Sequence, residues 1–134
     1  MLNNLREIIR EYLLRQPKLS AIVASRIYPE MPTNVPNPVL PCLCFSIIRG
    51  SADNNIPDIM HATVRLSIFS DQSLEQAWDA YNEMRSSLKN FRITHDTADI
   101  FGSETVVPNE DFDIDGYWFS VSGLWMFHIL NKST

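Results

Sequence analysis

Residues His61–Leu88, "HATVRLSIFSDQSLEQAWDAYNEMRSSL", change from the period of a strand to the period of a helix. The first ten residues alternate between apolar and mostly polar side chains, which predicts a half-exposed strand. Ser73 and Gln76 then form a capping-box pattern, which predicts a helix with boundaries near residues 73 and 90. The buried positions expected on the strand are Ala62, Val64, Leu66 and Ile68, and those on the helix are Leu74, Ala77, Trp78, Tyr81, Met84 and Leu88.

The N-terminal segment predicts an earlier amphipathic helix. Its apolar residues recur at helical spacing, and charged residues fill the opposite side. We expect Pro17 to close this helix, because proline lacks an N–H donor and disfavours helical geometry in the residue before it. The following "LSAIVAS", residues 19–25, then predicts a short apolar turn. The apolar positions of the helix are Leu2, Leu5, Ile8, Ile9, Tyr12 and Leu13.

A proline-rich stretch, "RIYPEMPTNVPNPVLPCLCFSIIRG", runs from Arg26 to Gly50. No basic cluster flanks its P-x-x-P spacings, so recognition by a proline-reading domain is disfavoured. A linker between domains is disfavoured as well, because the helix before it is too short to fold alone. We interpret the stretch as an extended surface segment that leads to a buried strand. That strand, "CLCFSIIR", is apolar on both faces, which favours a central place in a sheet.

The last third predicts more strand. Residues 91–108, "FRITHDTADIFGSETVVP", favour a weak strand pair, and residues 116–130, "GYWFSVSGLWMFHIL", favour a long strand. Its fourteen residues from Tyr117 to Leu130 would span about 46 Å, but a compact chain of this length is about 36 Å across. Either Gly123 breaks or bulges the strand, or the strand projects.

These segments predict an α+β fold in a single domain spanning residues 1–134. We expect two helices packed on one face of a mainly antiparallel, four- to five-stranded sheet. Neither face of the long strand has the composition of a plain solvent face, so part of the uncovered side of the sheet is expected to meet another chain. The candidate contact residues are Trp118, Leu124, Trp125 and Met126.

Charge and composition restrict the class of protein. The net charge of −5 has the wrong sign for a protein that grips nucleic acid by neutralising phosphates. The charged N-terminal segment does not have the apolar core of a secretion signal, and no apolar run reaches the length of about 20 residues that crosses a bilayer. We therefore expect a soluble protein made in a reducing cytoplasm, in which Cys42 and Cys44 are free thiols.

The sequence contains few of the residue patterns that catalysis or metal binding requires. Cys42 and Cys44 point to the same side of a strand, but no second cysteine pair exists, and the histidines His61, His95 and His128 are scattered. With four glycines in the chain, neither a serine elbow nor a phosphate-binding loop is present. We predict a protein that is not an enzyme and binds no metal or cofactor.

Two polar segments are candidates for contacts. In "NEDFDID", residues 109–115, a strand would place three carboxylates on one exposed face, which could repel a passing polyanion or keep neighbouring strand edges from pairing. Calcium would require more oxygen ligands and a turn glycine. "DNNIPD", residues 53–58, is a longer loop than a tight hairpin needs, which leaves room for a partner contact. The residues concerned are Asp111, Asp113 and Asp115, and Asp53, Asn54, Asn55 and Asp58.

The order and spacing of these segments resemble the tail-completion or tail-terminator proteins of long-tailed bacteriophages. The resemblance covers about residues 2–90. Its most specific parts are "RIYP", residues 26–29, reached from "LSAIV", and the strand ending "SIFS" that passes into the "EQAW" helix. The acidic segment and the long aromatic strand of the last third match no pattern of this family. The family's subunit and tube contacts are therefore not assigned to particular residues of this sequence.

The resemblance implies a small α+β subunit of the virion, assembled in the host cytoplasm as a ring that is usually a hexamer. Such a ring caps the head-proximal end of the tail tube, stops its polymerisation and joins it to the neck or head connector. The implied partners are further copies of the chain, the tail tube protein and the neck or connector protein. DNA would pass through without specific binding, and six copies at −5 would together carry −30. On this interpretation Asp111, Asp113 and Asp115 are candidates to face the channel.

Two alternatives remain open from the sequence. A neck or head–tail adaptor would bind the connector rather than the tube. A small-molecule-binding α+β protein would be a monomer or dimer with one deep pocket and convergent polar groups.

Overall fold

The computed structural model describes residues 2–28, 39–52, 59–89, 91–94, 98–114 and 118–131. Helices and strands are mixed along the chain, which confirms the α+β class. In chain order the elements are α1 Leu2–Leu14, α2 Pro17–Val23, β1 Ile27–Tyr28, β2 Cys42–Ala52, β3 Ile59–Ser70, α3 Leu74–Leu88, β4 Arg92–Thr94, β5 Ala98–Asp113 and β6 Trp118–Asn131. None of the described helices is both long and apolar enough to cross a membrane.

The strands form one sheet in the order β1-β2-β3-β6-β5-β4. Strand β1 runs parallel to β2, and every other neighbouring pair is antiparallel, as predicted. The expected strand number of four to five is wrong, because the described residues alone form a sheet of six strands. The strand that was not predicted is the edge strand β1, which has two residues and is too short to show an alternating pattern. Strands β4 and β5 correspond to the weak strand pair predicted in residues 91–108. Strand β2 lies one place from the edge, whereas β3 and β6 occupy the centre.

The segment after α1 also differs from the prediction. Helix α1 ends at Leu14, and Pro17 begins a second helix instead of only closing the first. Proline is tolerated at the first helical position because the N–H that it lacks has no partner there. The predicted turn is therefore the seven-residue helix α2, which buries Leu19 and Val23, and the chain has three described helices instead of two.

Helix α3 begins and ends close to the predicted residues. The Ser73 side chain caps it by accepting a hydrogen bond from the Gln76 backbone N–H at 3.0 Å. Only this half of a capping box forms, because the Gln76 Oε1 accepts from the Ser70 hydroxyl at 2.6 Å and the Ser73 backbone N–H donates to the Ser70 hydroxyl oxygen. These bonds join the end of β3 to the start of α3.

The core lies between the helices and one face of the sheet. The four predicted positions of β3 are fully buried there, as are Leu5, Ile9 and Leu13 of α1. Tyr12 of α1 also donates its hydroxyl hydrogen to the Ser87 carbonyl of α3 at 2.6 Å. From β6, the core receives Val121, Trp125, Phe127 and Ile129.

Strand β6 continues through Gly123 without a bulge. It pairs with β3 on one side and with β5 on the other, and Gly123 lies opposite Leu66. The irregularities occur in β5, where the register shifts between Glu104 and Val106 and again between Val106 and Asn109. The irregularity that the sequence analysis allowed at Gly123 of β6 therefore lies in the neighbouring strand β5.

Candidate interaction surface: the open face of the sheet

The face of the sheet that points away from the three helices is here called the open face. Side chains alternate across a strand, so the residues between the core positions of β3, β5 and β6 point to this face. The strand register places them side by side. The open face contains His61, Thr63, Arg65, Ser67 and Phe69 of β3, Trp118, Ser120, Ser122, Leu124, Met126 and His128 of β6, and Phe101, Ser103, Asn109, Asp111 and Asp113 of β5.

One end of the open face carries a small hydrophobic cluster. Cys42 and Cys44 of β2 and Phe69 of β3 are buried in it, and Trp118 packs edge-on against Phe69 with 5.6 Å between ring centroids. Trp118 itself is half-buried. This cluster covers part of the sheet that the helices leave open.

The two cysteines are free and buried, with their Sγ atoms 3.9 Å apart. The hydrogen bond between the two thiols lowers the pKa of Cys42 despite burial, and the same hydrogen bond together with burial raises the pKa of Cys44. In the described part of the chain, no group of three or more His, Cys, Asp or Glu side chains is placed to hold a metal ion.

The middle of the open face is polar. The Ser122 hydroxyl donates to the Ser67 hydroxyl at 2.8 Å across β3 and β6. Beside this pair lies an open groove of about 380 Å³, whose lining includes Arg65, Asn109 and Asp111. The exposed carboxylates Asp111 and Asp113 pair in register with Ser120 and Trp118. The structure therefore brings two of the predicted acidic residues and a predicted contact residue onto one face.

The other end of the open face contains a histidine pair. His61 and His128 lie directly opposite each other on β3 and β6, and their Nδ1 atoms are 2.8 Å apart. Phe101 of β5 stacks on the His128 ring at 5.0 Å. Desolvation, and then the nearby His61, lowers the pKa of His128.

The prediction that the histidines are scattered is thus wrong for His61 and His128; His95 lies outside the described residues. The two partners are 67 residues apart in the chain. Alternation alone places both on the non-core side of their strands, but the register that makes them neighbours depends on strand pairing, which the sequence pattern does not reveal.

Of the four predicted contact residues on β6, Trp125 is on the other side of the sheet. It is 3% exposed and lies in the core, because its side chain points to the same face of the sheet as those of Val121 and Phe127. The prediction of an accessible Trp125 is therefore corrected. Trp118, Leu124 and Met126 are half-buried on the open face. Asp53, Asn54, Asn55, Asp58 and Asp115 lie outside the described residues.

A second groove, of about 520 Å³, lies between α3 and β5 on the helix side. Arg85 of α3 pairs there with Glu104 of β5 at 2.7 Å. Tyr81 Oη, Trp125 Nε1 and the second carboxylate oxygen of Glu104 are buried near this pair and have no hydrogen-bond partner among the described residues. Burial raises the pKa of Tyr81. Buried polar atoms of this kind commonly bind ordered water.

Neither a protein-family model nor a curated protein matches the sequence. Among solved structures, the chain is similar to a chain of the virion of a native gene transfer agent particle, with a TM-score of 0.64 and 12% sequence identity. The similarity covers 94% of this chain and 94% of that chain. At this level of identity, it shows that the two chains share a fold.

Proposed function

We propose that the chain is a structural subunit of a phage-type virion, and that it forms a ring, usually a hexamer, at the head-proximal end of the tail tube. The observation that carries the proposal is the fold shared with the gene transfer agent virion chain over 94% of both chains. In this role the ring ends tube polymerisation and joins the tube to the neck, and the chain acts by contact instead of catalysis.

The finer assignment to the tail-terminator family rests on the segments that carry the resemblance. Ile27 and Tyr28 of "RIYP" form the edge strand β1, which pairs with Leu43 and Cys44. "SIFS" ends β3 at Ser70, and its last serine bonds to Gln76 within the "EQAW" helix. The most specific parts of the resemblance thus lie where β1 pairs with β2 and where β3 leads into α3.

The open face is the proposed subunit interface. The three helices cover the opposite side of the sheet, so half-buried Trp118, Leu124 and Met126 meet solvent in a single copy. Phe101 and Leu130 add apolar surface at the histidine end, with exposed fractions of 45% and 38%. Covering such surface with a neighbouring copy removes apolar area from water. A contact between two different patches, closed by rotation, generates a ring.

The acidic residues that β5 places on the open face are proposed to line the channel. Asp111 and Asp113 are exposed on β5, and Asp115 follows them in sequence. Repeated around a ring, these carboxylates produce a negative lining that repels the DNA backbone. DNA can then pass without binding.

Electron microscopy of the purified protein, alone and mixed with tail tube protein, tests the proposal. We expect rings, at least in the presence of tube protein, that sit on one end of tubes and limit their length. Rings that bind the head connector but ignore the tube would favour the neck-adaptor alternative. A protein that remains monomeric with both partners present contradicts the ring.

A further inference from the structure

Strands β5 and β6 carry two patches of exposed apolar side chains. Among the described residues, the large apolar side chains exposed to solvent are Val39, Ile48, Phe101, Phe112, Ile114 and Leu130. We call Phe112, Ile114 and the half-buried Phe119 the Phe112 patch, and Phe101 with Leu130 the Phe101 patch. Exposed apolar surface that is grouped in this way commonly marks a contact with another molecule.

The Phe112 patch lies on the helix side of the sheet. Strand β6 alternates without a bulge between Phe119 and the core residue Val121, so Phe119 points to the same side as the core. Phe112 lies opposite Phe119 in the register, with 4.9 Å between the ring centroids. Phe112 is 46% exposed, and Ile114, directly after β5, is 70% exposed. The three helices therefore leave this patch uncovered in a single copy.

Acidic side chains border the Phe112 patch. Glu110, two residues before Phe112 on β5, accepts a hydrogen bond from Trp78 Nε1 of α3 at 2.6 Å. Glu75 precedes Trp78 by three residues, which places it on the same face of α3. The carboxylates of Glu75 and Glu110 are both exposed. A partner that matches this patch should present apolar surface with positive charge beside it.

The Phe101 patch has these two properties. Phe101 stacks on His128 and therefore points to the open face. Arg92 of β4 lies opposite Phe101 in the register, and its neighbour Ile93 packs on the core, so Arg92 also points to the open face. The Arg92 side chain is exposed, whereas the carboxylate two residues before Phe101 on β5, Asp99, is half-buried.

We propose that the Phe112 patch of one copy docks on the Phe101 patch of the next copy around the ring. This inference rests on the proposed ring function, and it names the surface that covers the histidine end of the open face. Docking removes apolar surface of both copies from water. It also brings Glu75 and Glu110 of one copy toward Arg92 of the next, which matches opposite charges across the contact.

The two patches cannot meet within one copy. They point to opposite faces of the sheet, and β6 spans about 36 Å from Phe119 to Leu130, at about 3.3 Å per residue. A contact between two such patches is heterologous, so each copy uses both patches and the contact repeats until the ring closes. Asp111 and Asp113 lie on the other side of β5 from Phe112, so this contact leaves them available to line the channel.

Cross-linking of cysteine variants tests the contact. Ile114→Cys protein and Leu130→Cys protein are mixed, together with tail tube protein, and treated with a short bis-maleimide. The native Cys42 and Cys44 are buried, and wild-type protein controls for their reactivity. We expect dimers of this chain, identified by mass, from the mixture and a loss of these dimers when either variant is treated alone. The matched control is Ile48→Cys mixed with Ile114→Cys, since Ile48 is an exposed apolar residue outside both patches, and it should give no dimers.

Ring formation by a lysine variant provides a second measurement. Ile114→Lys removes apolar surface from the Phe112 patch and places a like charge against Arg92, so its rings should be lost, whereas Ile48→Lys should keep them. Dimers formed by Ile114→Cys alone as efficiently as by the mixture, an equal yield with Ile48→Cys, or rings of Ile114→Lys would overturn the proposed contact. Wild-type rings without the cross-link would overturn the contact and leave the ring function intact. A cross-link without wild-type rings would support the contact and contradict the ring.

Discussion

Leu124, Trp125 and Met126 are consecutive residues with opposite environments. Trp125 is 3% exposed beneath α3, whereas its two neighbours are half-buried on the open face. The cause is that successive side chains of β6 point to opposite faces of the sheet, so a residue in the core is followed by one on the open face. At the scale of single residues, the phase of a strand decides which apolar side chains stabilise the fold and which remain available for contacts.

Replacing Trp125 should therefore be far more damaging to the protomer than replacing Leu124. We expect Trp125→Ala to lower the free energy of unfolding by about 3–5 kcal/mol, because it opens a cavity in the core. Leu124→Ala, the control on the open face, should cost clearly less. Urea denaturation of both variants measures the difference. Equal losses would mean that the two faces of β6 are assigned incorrectly.

His128 should make stability depend on pH. Its folded pKa lies below the ordinary value of 6.5, so between these two values the unfolded chain binds more protons than the folded chain. The contribution of His128 to the free energy of unfolding is fully present above pH 6.5. It is lost as the pH falls through the folded pKa of His128. Among the titratable groups of the described residues, His61 of β3 lies directly opposite His128, and Asp99 of β5 pairs with Leu130, two residues along β6.

The measurement is the free energy of unfolding between about pH 5 and pH 7.5, a range that spans the ordinary histidine pKa. The decline toward acid pH should be shallower in His128→Gln than in the wild type. Parallel curves for the two proteins would show that folding does not perturb His128.

At the scale of elements, the junction between β3 and α3 is held by side-chain hydrogen bonds. Ser73→Ala removes the oxygen that accepts from the Gln76 N–H. We expect a loss of about 1 kcal/mol, the usual cost of removing a serine N-cap. The control is Ser86→Ala, an exposed position of the same helix where alanine has the higher helix propensity. If both substitutions change stability equally in thermal or urea unfolding, the cap is not the cause.

The sequence predicts best the long helices and strands, in which the spacing of apolar residues repeats several times. Helix α3 and strand β3 carry enough apolar positions in phase to fix both their type and their buried face. Helix α2, with seven residues, and the edge strand β1, with two, are too short for a period to emerge. Pro17 is ambiguous as well, because proline both follows helices and begins them.

The site was less predictable than the fold for a related reason. Composition identifies Trp118, Leu124 and Met126 as apolar surface of a strand, but it does not give strand order or register. These two properties depend on contacts between distant residues. They place Asp111 and Asp113 beside Trp118, and they make a pair of His61 and His128.

At the scale of the whole molecule, the helices cover one side of the sheet and leave a face that is apolar at its ends and polar in the middle. Neutralising the two carboxylates that β5 places on this face tests the channel proposal. Asp111→Asn with Asp113→Asn should leave rings intact, because exposed carboxylates contribute little to folding or packing. DNA delivery by the assembled particles should become slower, since the repulsion of the DNA backbone is reduced.

The control for this prediction is Glu7→Gln with Glu11→Gln, two exposed carboxylates on α1. It changes the net charge of the chain by the same amount at a site away from the sheet. Equal delivery rates in wild type and in the Asp111→Asn, Asp113→Asn variant would contradict a channel lining by these residues.

The central claim is that copies of this chain assemble through the open face of the sheet. Its most direct test is native mass spectrometry of Leu124→Glu with Met126→Glu, in the presence of tail tube protein, beside the wild type. We expect rings of the wild type and single copies of the variant, while both keep the same circular dichroism. A control with the same change in net charge, Arg6→Gln in α1 with Arg15→Gln just after it, alters two exposed positions and should still form rings. Rings of the open-face variant with unchanged subunit number would contradict the claim.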